Sequence, residues 1–201
     1  MLSYFDPKDG LKGSLDVRNC VVGKEPDGDL LKKKKHENPF HVLVEGRKLF
    51  LSAETAAERE LWMTTIATRQ QRWQYAKKTL ALGKSPDARL MHLLSGARES
   101  RIDLSGAEAP LEKIVALDFY LRSPLASALR HVHIDNAALG DLEMQILADA
   151  LSVAADGTPS TPGRRLPAAT KLLSLSLRSN RLSNDSTQHV ARIWLHHGNT
   201  L

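Results

Sequence analysis

Cysteine is nearly absent from this 201-residue chain, in which Cys20 stands alone. A single thiol excludes an internal disulfide framework, a CxxC redox or metal motif and any zinc knuckle, and it suits a reducing compartment. Long apolar runs are also missing. No window approaches the roughly 18 apolar residues that suggest a membrane span, and the opening MLSYFDPKDG has no basic segment followed by a hydrophobic one. The composition therefore predicts a cytoplasmic protein. Nor is there a charge bias large enough to drive nucleic-acid binding. The formal charge is +5, and residues 1–70 hold 12 basic and 11 acidic side chains, 71–100 hold 6 and 2, and 101–201 hold 10 and 10. The surplus sits in the middle of the chain, and neither flank has the basic bias of a nucleic-acid binder. No Ser, His and Asp spacing resembles a nucleophile elbow, no glycine-rich phosphate loop precedes a helix, and no pair of carboxylates stands out as acid and base. The expectation is a non-enzyme with no catalytic residues, no metal and no cofactor.

What is present is 42% hydrophobic residues, enough for two small cores, and one long helical stretch that joins them. Thr55 to Leu82 has no Pro or Gly, is dense in strong helix formers and ends at Gly83. Trp62, Ile66, Trp73 and Leu80 fall near one face, so both tryptophans read as core residues. After Gly83, Ser85 is placed as an N-cap with Pro86 in the first helical position and Asp87 complementing the dipole. Leu90, Met91, Leu93 and Leu94 then give a short helix of about ten residues that stops at Gly96. Residues 71–97 thus read as a helical connector.

Before the long helix the chain alternates like a β-meander. Leu2 to Phe5 is a strand pattern closed by the turn residues Asp6 to Gly10. Gly13 to Val17 alternates and Cys20 to Val22 extends it. Phe40 to Val44 and Lys48 to Leu51 flank Glu45-Gly46-Arg47 as a hairpin. The series LSYF, GLKGSLDV and FHVLVEGRKLFLSAETAAERELWMTTI resembles the back two-thirds of a pleckstrin-homology (PH) domain, with Trp62 at the position of the tryptophan that packs beneath the sandwich in that family. On that resemblance Trp62→Ala would cost about 3 to 5 kcal/mol. A complete domain of the family begins with two further strands, whose joining loop carries the Lys and Arg residues that hold inositol phosphates. Neither strand precedes Met1, so that headgroup site does not carry over, and the chain reads as a piece of a longer architecture. The lysines that are present, Lys8, Lys12, Lys32, Lys33, Lys34, Lys35 and Lys48, form a candidate weak, salt-sensitive lipid-binding patch. Basic residues near an anionic leaflet contribute about 1 kcal/mol each. Between Lys24 and Glu37, however, four acidic residues accompany five lysines.

From Arg101 the chain repeats a short strand, a loop and a helix. The strands are Arg101 to Leu104, His131 to Ile134 and Ser174 to Leu177, 30 and then 43 residues apart, with helices at Pro110 to Tyr120, Asp141 to Val153 and Asn184 to His196. The longer spacing contains GTPSTPGRR within 155–169, a surface insertion by composition. Leu172 to Leu182 reads LLSLSLRSNRL and matches the leucine-rich-repeat consensus LxxLxLxxNxL, so residues 98–201 resemble about three repeats of the ribonuclease-inhibitor subtype. That resemblance implies that Asn180 bonds backbone groups in the turn. Alternation puts Val132 and Ile134 inside and His131 and His133 on the opposite face. Three registered rows follow: Arg101, His131 and Ser174; Asp103, His133 and Ser176; Ser105, Asp135 and Arg178. A metal would need Asp103 beside the two histidines and is not expected. The resemblance instead implies a protein-binding face of Arg101, Asp103, His131, His133, Asp135, Ser174, Ser176 and Arg178. The last helix, with Ile193, Trp194 and Leu195, is expected to leave apolar surface uncapped or covered by a partner subunit.

The expectation is therefore an α+β protein of two domains: a partial antiparallel PH-like β-sandwich with a C-terminal helix (1–70), the connector, and a short α/β leucine-rich-repeat solenoid (98–201). Its expected role is that of a cytoplasmic signalling scaffold that binds protein partners through the repeat face. The alternative is a peripheral membrane module that reads phosphoinositides.

Overall fold

A computed structural model of the chain describes residues 2–6, 10–24, 38–152 and 172–197. They fall into two compact units, residues 1–74 and 75–201. The insertion expected at 155–169 lies outside the described residues.

In the first unit β1 (Leu2–Asp6) pairs antiparallel with β2 (Gly10–Leu15), with an irregularity between Tyr4 and Phe5. The strand expected to run on to Val17 stops at Leu15. There the Asp16 carboxylate accepts the Arg18 N–H at 3.1 Å and caps a 3₁₀ turn over Val17–Asn19. The Arg18 side chain, followed by its backbone N–H, holds the Asp16 carboxyl down at about 2. β3 (Val21–Lys24), β4 (Asn38–Val44) and β5 (Arg47–Ala53) form an antiparallel meander. Its β4–β5 turn uses left-handed backbone at both Glu45 (φ +48°) and Gly46 (φ +78°), the twist that a two-residue hairpin requires. Phe40, Val42 and Val44 point into a core shared with Val17, Cys20, Ala53 and Ile66.

Ile66 belongs to α1 (Ala56–Ala81), which realises the long helical pattern. Thr55 starts it: its hydroxyl accepts the Glu58 N–H at 3.1 Å, while the Glu58 carboxylate reaches back to the Glu54 N–H at 2.8 Å. The expected apolar stripe does not hold. Ile66 is 3% exposed, but Trp62 is 45% exposed and Leu80 lies in solvent. The reason is angular. Met63, Ile66 and Gln70, spaced three and four apart, face the meander, with Gln70 donating to the Cys20 carbonyl at 3.0 Å. Trp62, one residue earlier than Met63, is turned away, and its indole lies 3.4 Å from the Glu58 carboxylate on the helix surface. The Arg18 guanidinium lies 5.7 Å from the centre of the Trp73 ring.

The second unit begins within α1 at Tyr75. α2 (Ala88–Leu93) is shorter than expected, and its cap is Asp87 rather than Ser85. The Asp87 carboxylate accepts from the backbone of Arg89 and Leu90, where a cap two residues earlier would leave those donors unpaired. Burial pushes this carboxyl up, but Arg89 and Lys113 outweigh it and hold it at about 2. β6 (Arg101–Asp103), α3 (Leu111–Leu121), β7 (His131–His133), α4 (Asp141–Leu151), β8 (Ser174–Ser176) and α5 (Thr187–His197) follow. The strands form one parallel sheet in the order β6-β7-β8, with Ile102, Val132 and Leu175 in register. The turns after the strands repeat too. Gly106, Asn136 and Ser179 recur at the same 30 and 43 spacings, with φ of +71°, +50° and +54°. The core runs from Tyr75, Leu90, Leu93 and Leu94 through the helices to Ile193, so the segment read as a connector supplies buried side chains to this unit. Ile193, expected outside, is buried, whereas Trp194 and Leu195 are exposed.

The end of α5 is fixed by a buried histidine. His197 Nε2 lies 2.8 Å from the Leu151 carbonyl at the end of α4, and its Nδ1 accepts the Leu172 N–H at 3.4 Å just before β8. Both contacts require a neutral ring, because Nδ1 must keep its lone pair. Burial lowers the pKa of His197, and His196, edge-on at 4.5 Å, adds to the effect against the pull of the Leu151 carbonyl.

Two outcomes are expected. Ile66→Ala should destabilise the first unit by about 2 to 5 kcal/mol while Trp62→Ala costs about 1 kcal/mol or less, against the cost of about 3 to 5 kcal/mol that the family resemblance implied for Trp62, as read by urea unfolding. The unfolded chain protonates His197 more readily than the folded one. The contribution of this ring to stability is therefore complete above about pH 6.5 and lost as pH falls below that value. The melting temperature of the wild type should fall more between pH 8 and pH 5 than that of His197→Gln; parallel curves would remove His197 as the cause.

Candidate functional site

The outer face of the parallel sheet gathers the polar side chains that alternation assigns to it. Its rows are those the pattern requires: Arg101, His131 and Ser174 are in register, as are Asp103, His133 and Ser176. The third row is joined through the turns. Asp135 N–H donates to Ser105 Oγ at 3.1 Å, and Arg178 N–H donates to Asp135 Oδ1 at 2.7 Å.

Hydrogen-bond chemistry fixes how these groups are arranged. Arg101 donates to Asp103 at 3.0 Å and lies 3.3 Å from His133 Nδ1. A guanidinium has donors only, so His133 Nδ1 is the acceptor and the proton of the ring sits on Nε2. That N–H lies 3.3 Å from Ser174 Oγ, which in turn lies 2.9 Å from His131 Nδ1. The relay therefore crosses all three strands, from Arg101 on β6 through His133 on β7 to Ser174 on β8 and back to His131. The carboxylates are engaged by their own surroundings. The Ser105 N–H and hydroxyl, then Arg101, hold Asp103 at about 2. The Ser176 hydroxyl, the Arg178 N–H and the charge of Arg178 lower Asp135. Arg101 occupies the space between Asp103 and His133 that a shared metal ion would need. Among the described residues no group of three metal-ligating side chains converges.

Beneath the face, Asn180 ties the turns together. Its Oδ1 accepts the N–H groups of Ala137 (3.0 Å) and Leu139 (3.1 Å), and its Nδ2 donates to the carbonyls of Ile134 (2.6 Å) and Leu177 (2.9 Å). All four bonds are to backbone in turns, as the consensus asparagine implied. Asp141, which the sequence reading passed over, ties the start of α4 to the turn before α5 by accepting the Ser183 N–H (2.9 Å) and both the Ser183 and Ser186 hydroxyls. Its signal in the sequence is the Ser183-x-x-Ser186 pair, which becomes legible only once the turn is known to sit beside Asp141.

Of the candidate lipid-binding lysines, Lys12 and Lys48 lie among the described residues. Lys48 is exposed, with its ammonium 5.0 Å from the Phe50 ring, and Lys12 is placed on β2 by its backbone. Lys8 and Lys32 to Lys35 lie outside the described residues.

Residues 1–70 match the family model of the PH domain. No curated protein and no solved structure matches the chain. No described helix is long and apolar enough to cross a membrane.

The relay yields a spectroscopic expectation. Nitrogen-15 correlation spectra of the imidazoles at neutral pH should show His133 as the Nε2–H tautomer. Arg101→Ala should move it toward a tautomer mixture; a protonated Nδ1 on His133 in the wild type would exclude the arrangement.

Proposed function

We propose that this chain is a non-enzymatic peripheral membrane adaptor, brought to anionic, phosphoinositide-containing surfaces by its PH module. The observation that carries the reading is the family match over residues 1–70, joined to a meander and closing helix of the matching form. The lipid contacts would come from the basic side chains Lys8, Lys12, Lys32 to Lys35 and Lys48, acting as a diffuse charged surface. Attraction of that kind is screened by salt and tempered by neighbouring acids. The cytoplasmic face of a membrane fits the single cysteine.

A second reading assigns protein binding to the polar face of the parallel sheet and is favoured by its preorganised rows. It treats residues 98–201 as leucine-rich repeats of ribonuclease-inhibitor type. The four backbone bonds of Asn180 and the left-handed residue recurring at Gly106, Asn136 and Ser179 support that view. Together the two modules make a signalling scaffold: one surface locates it, the other recruits.

The test is co-sedimentation of the folded chain with vesicles containing phosphatidylserine and phosphoinositide, at low and high salt. Binding should weaken with salt and drop at least about tenfold when Lys32 to Lys35 and Lys48 are neutralised. A folded chain that stays in the supernatant at low salt overturns the membrane reading. For the second reading, Asp103→Arg with Arg178→Glu should weaken an identified protein partner by at least about tenfold, and unchanged affinity removes the face as the site.

A further inference from the structure

The outer face of the parallel sheet carries balanced formal charge, yet the hydrogen-bonding groups left over on it are of one kind. Its carboxylates are engaged. Asp103 accepts the Ser105 N–H at 3.1 Å and the Arg101 guanidinium at 3.0 Å. Asp135 accepts the Ser176 hydroxyl on both oxygens and the Arg178 N–H on one. Glu99, which lines a cleft together with Arg101, is paired with His92 at 3.0 Å. The donors are not used up in the same way. Both contacts of Arg101 are made by Nη2, so its Nε and Nη1 groups have no acceptor among the described residues, and its side chain is 57% exposed.

The relay supplies a second donor. His133 Nδ1 meets the guanidinium, so the ring donates from Nε2 to Ser174 Oγ at 3.3 Å. The Ser174 hydroxyl has one proton to place, and its acceptor among the described residues is His131 Nδ1 at 2.9 Å. A neutral His131 therefore carries its own proton on Nε2, where no described group accepts it. Each link donates in the same direction, from the Arg101 cation through His133 and Ser174, so the chain polarises toward a terminal donor on His131. Arg101 and His131 are register neighbours, about 4.8 Å apart across adjacent strands, and their row holds no acid.

We infer that the Arg101, His131 and Ser174 row is a carboxylate-binding site, and that the partner of this face presents an acidic peptide segment to it. The inference rests on the reading of the sheet face as a protein-binding surface and names what that surface takes. One carboxylate has two oxygens to bridge the strands, accepting the His131 Nε2–H and an N–H of Arg101. A lysine-bearing segment finds the acceptors of Asp103 and Asp135 already occupied. Because those two charges balance Arg101 and Arg178, the segment is selected by hydrogen-bond geometry on contact and not drawn in by net charge. Ser174 is a positioning residue. Its hydroxyl keeps the His131 proton on Nε2.

Nitrogen-15 imidazole spectra of the full chain read the outcome during titration, to about 5 mM, with an acetylated peptide of alternating glutamate and serine. The His131 Nε2–H signal should move saturably, while that of His196, exposed on α5, stays in place. Counterparts with glutamine or lysine in place of glutamate should leave His131 unmoved. Ser174→Ala should weaken the glutamate peptide at least about fivefold with an unchanged circular dichroism spectrum, and Ser174→Thr should restore it. A glutamate peptide that leaves His131 unmoved, or one that the glutamine peptide matches, overturns the carboxylate assignment, and so does unchanged affinity in Ser174→Ala. The protein-binding reading of the face falls separately, when Asp103→Arg with Arg178→Glu leaves a protein partner's affinity unchanged.

Discussion

Strands of three residues cannot hold themselves in register by ladder bonds alone, and the second unit is built around that constraint. Each parallel pair contributes few backbone hydrogen bonds, so the turns must be tied together by side chains that reach across unit boundaries. Asn180 satisfies two donors and two acceptors from two turn segments, and Asp135 and Asp141 do similar work with serine partners. A buried backbone group left without a partner costs about 1 to 3 kcal/mol. A single carboxamide that pairs four of them therefore fixes the turn after β7 against the turn after β8. His197 closes the series by joining the last helix to the end of α4 and the start of β8.

The same constraint shapes the exposed face. Because the inward positions are filled by Ile102, Val132 and Leu175, the alternate positions collect Arg101, Asp103, His131, His133, Ser174 and Ser176 on one surface. These groups are paired to one another rather than left to water, which sets the histidine tautomers and leaves a face with balanced formal charge. Such a surface has shape and a fixed donor pattern but little long-range field. Surfaces of that kind discriminate on contact rather than attract from a distance.

Much of this was legible in the residues. The 30 and 43 spacings located the three strands, alternation gave their outward rows, and the Leu-x-Leu run with Asn180 announced a turn asparagine. The β4–β5 hairpin was readable from Glu45-Gly46. Where the reading failed, distant neighbours decided. Trp62 looked like a core residue from its helix spacing, yet the meander meets α1 along Met63, Ile66 and Gln70. Ser85 has the chemistry of a cap, but Asp87 is the residue that Tyr75 and Lys113 hold in place. Nothing in the local sequence of Asp141 or His197 points to partners 25 to 46 residues away.

Local sequence sets the approximate helical and strand segments and which residues share a strand face, because these follow from covalent geometry and periods of 3.6 and 2 residues. Which side of α1 is buried and which histidine nitrogens carry protons are settled by packing between distant segments. Those outcomes depend on where an element's neighbour comes to rest: burial and hydrogen-bond pairing are properties of two surfaces, and a single stretch of chain specifies only one of them.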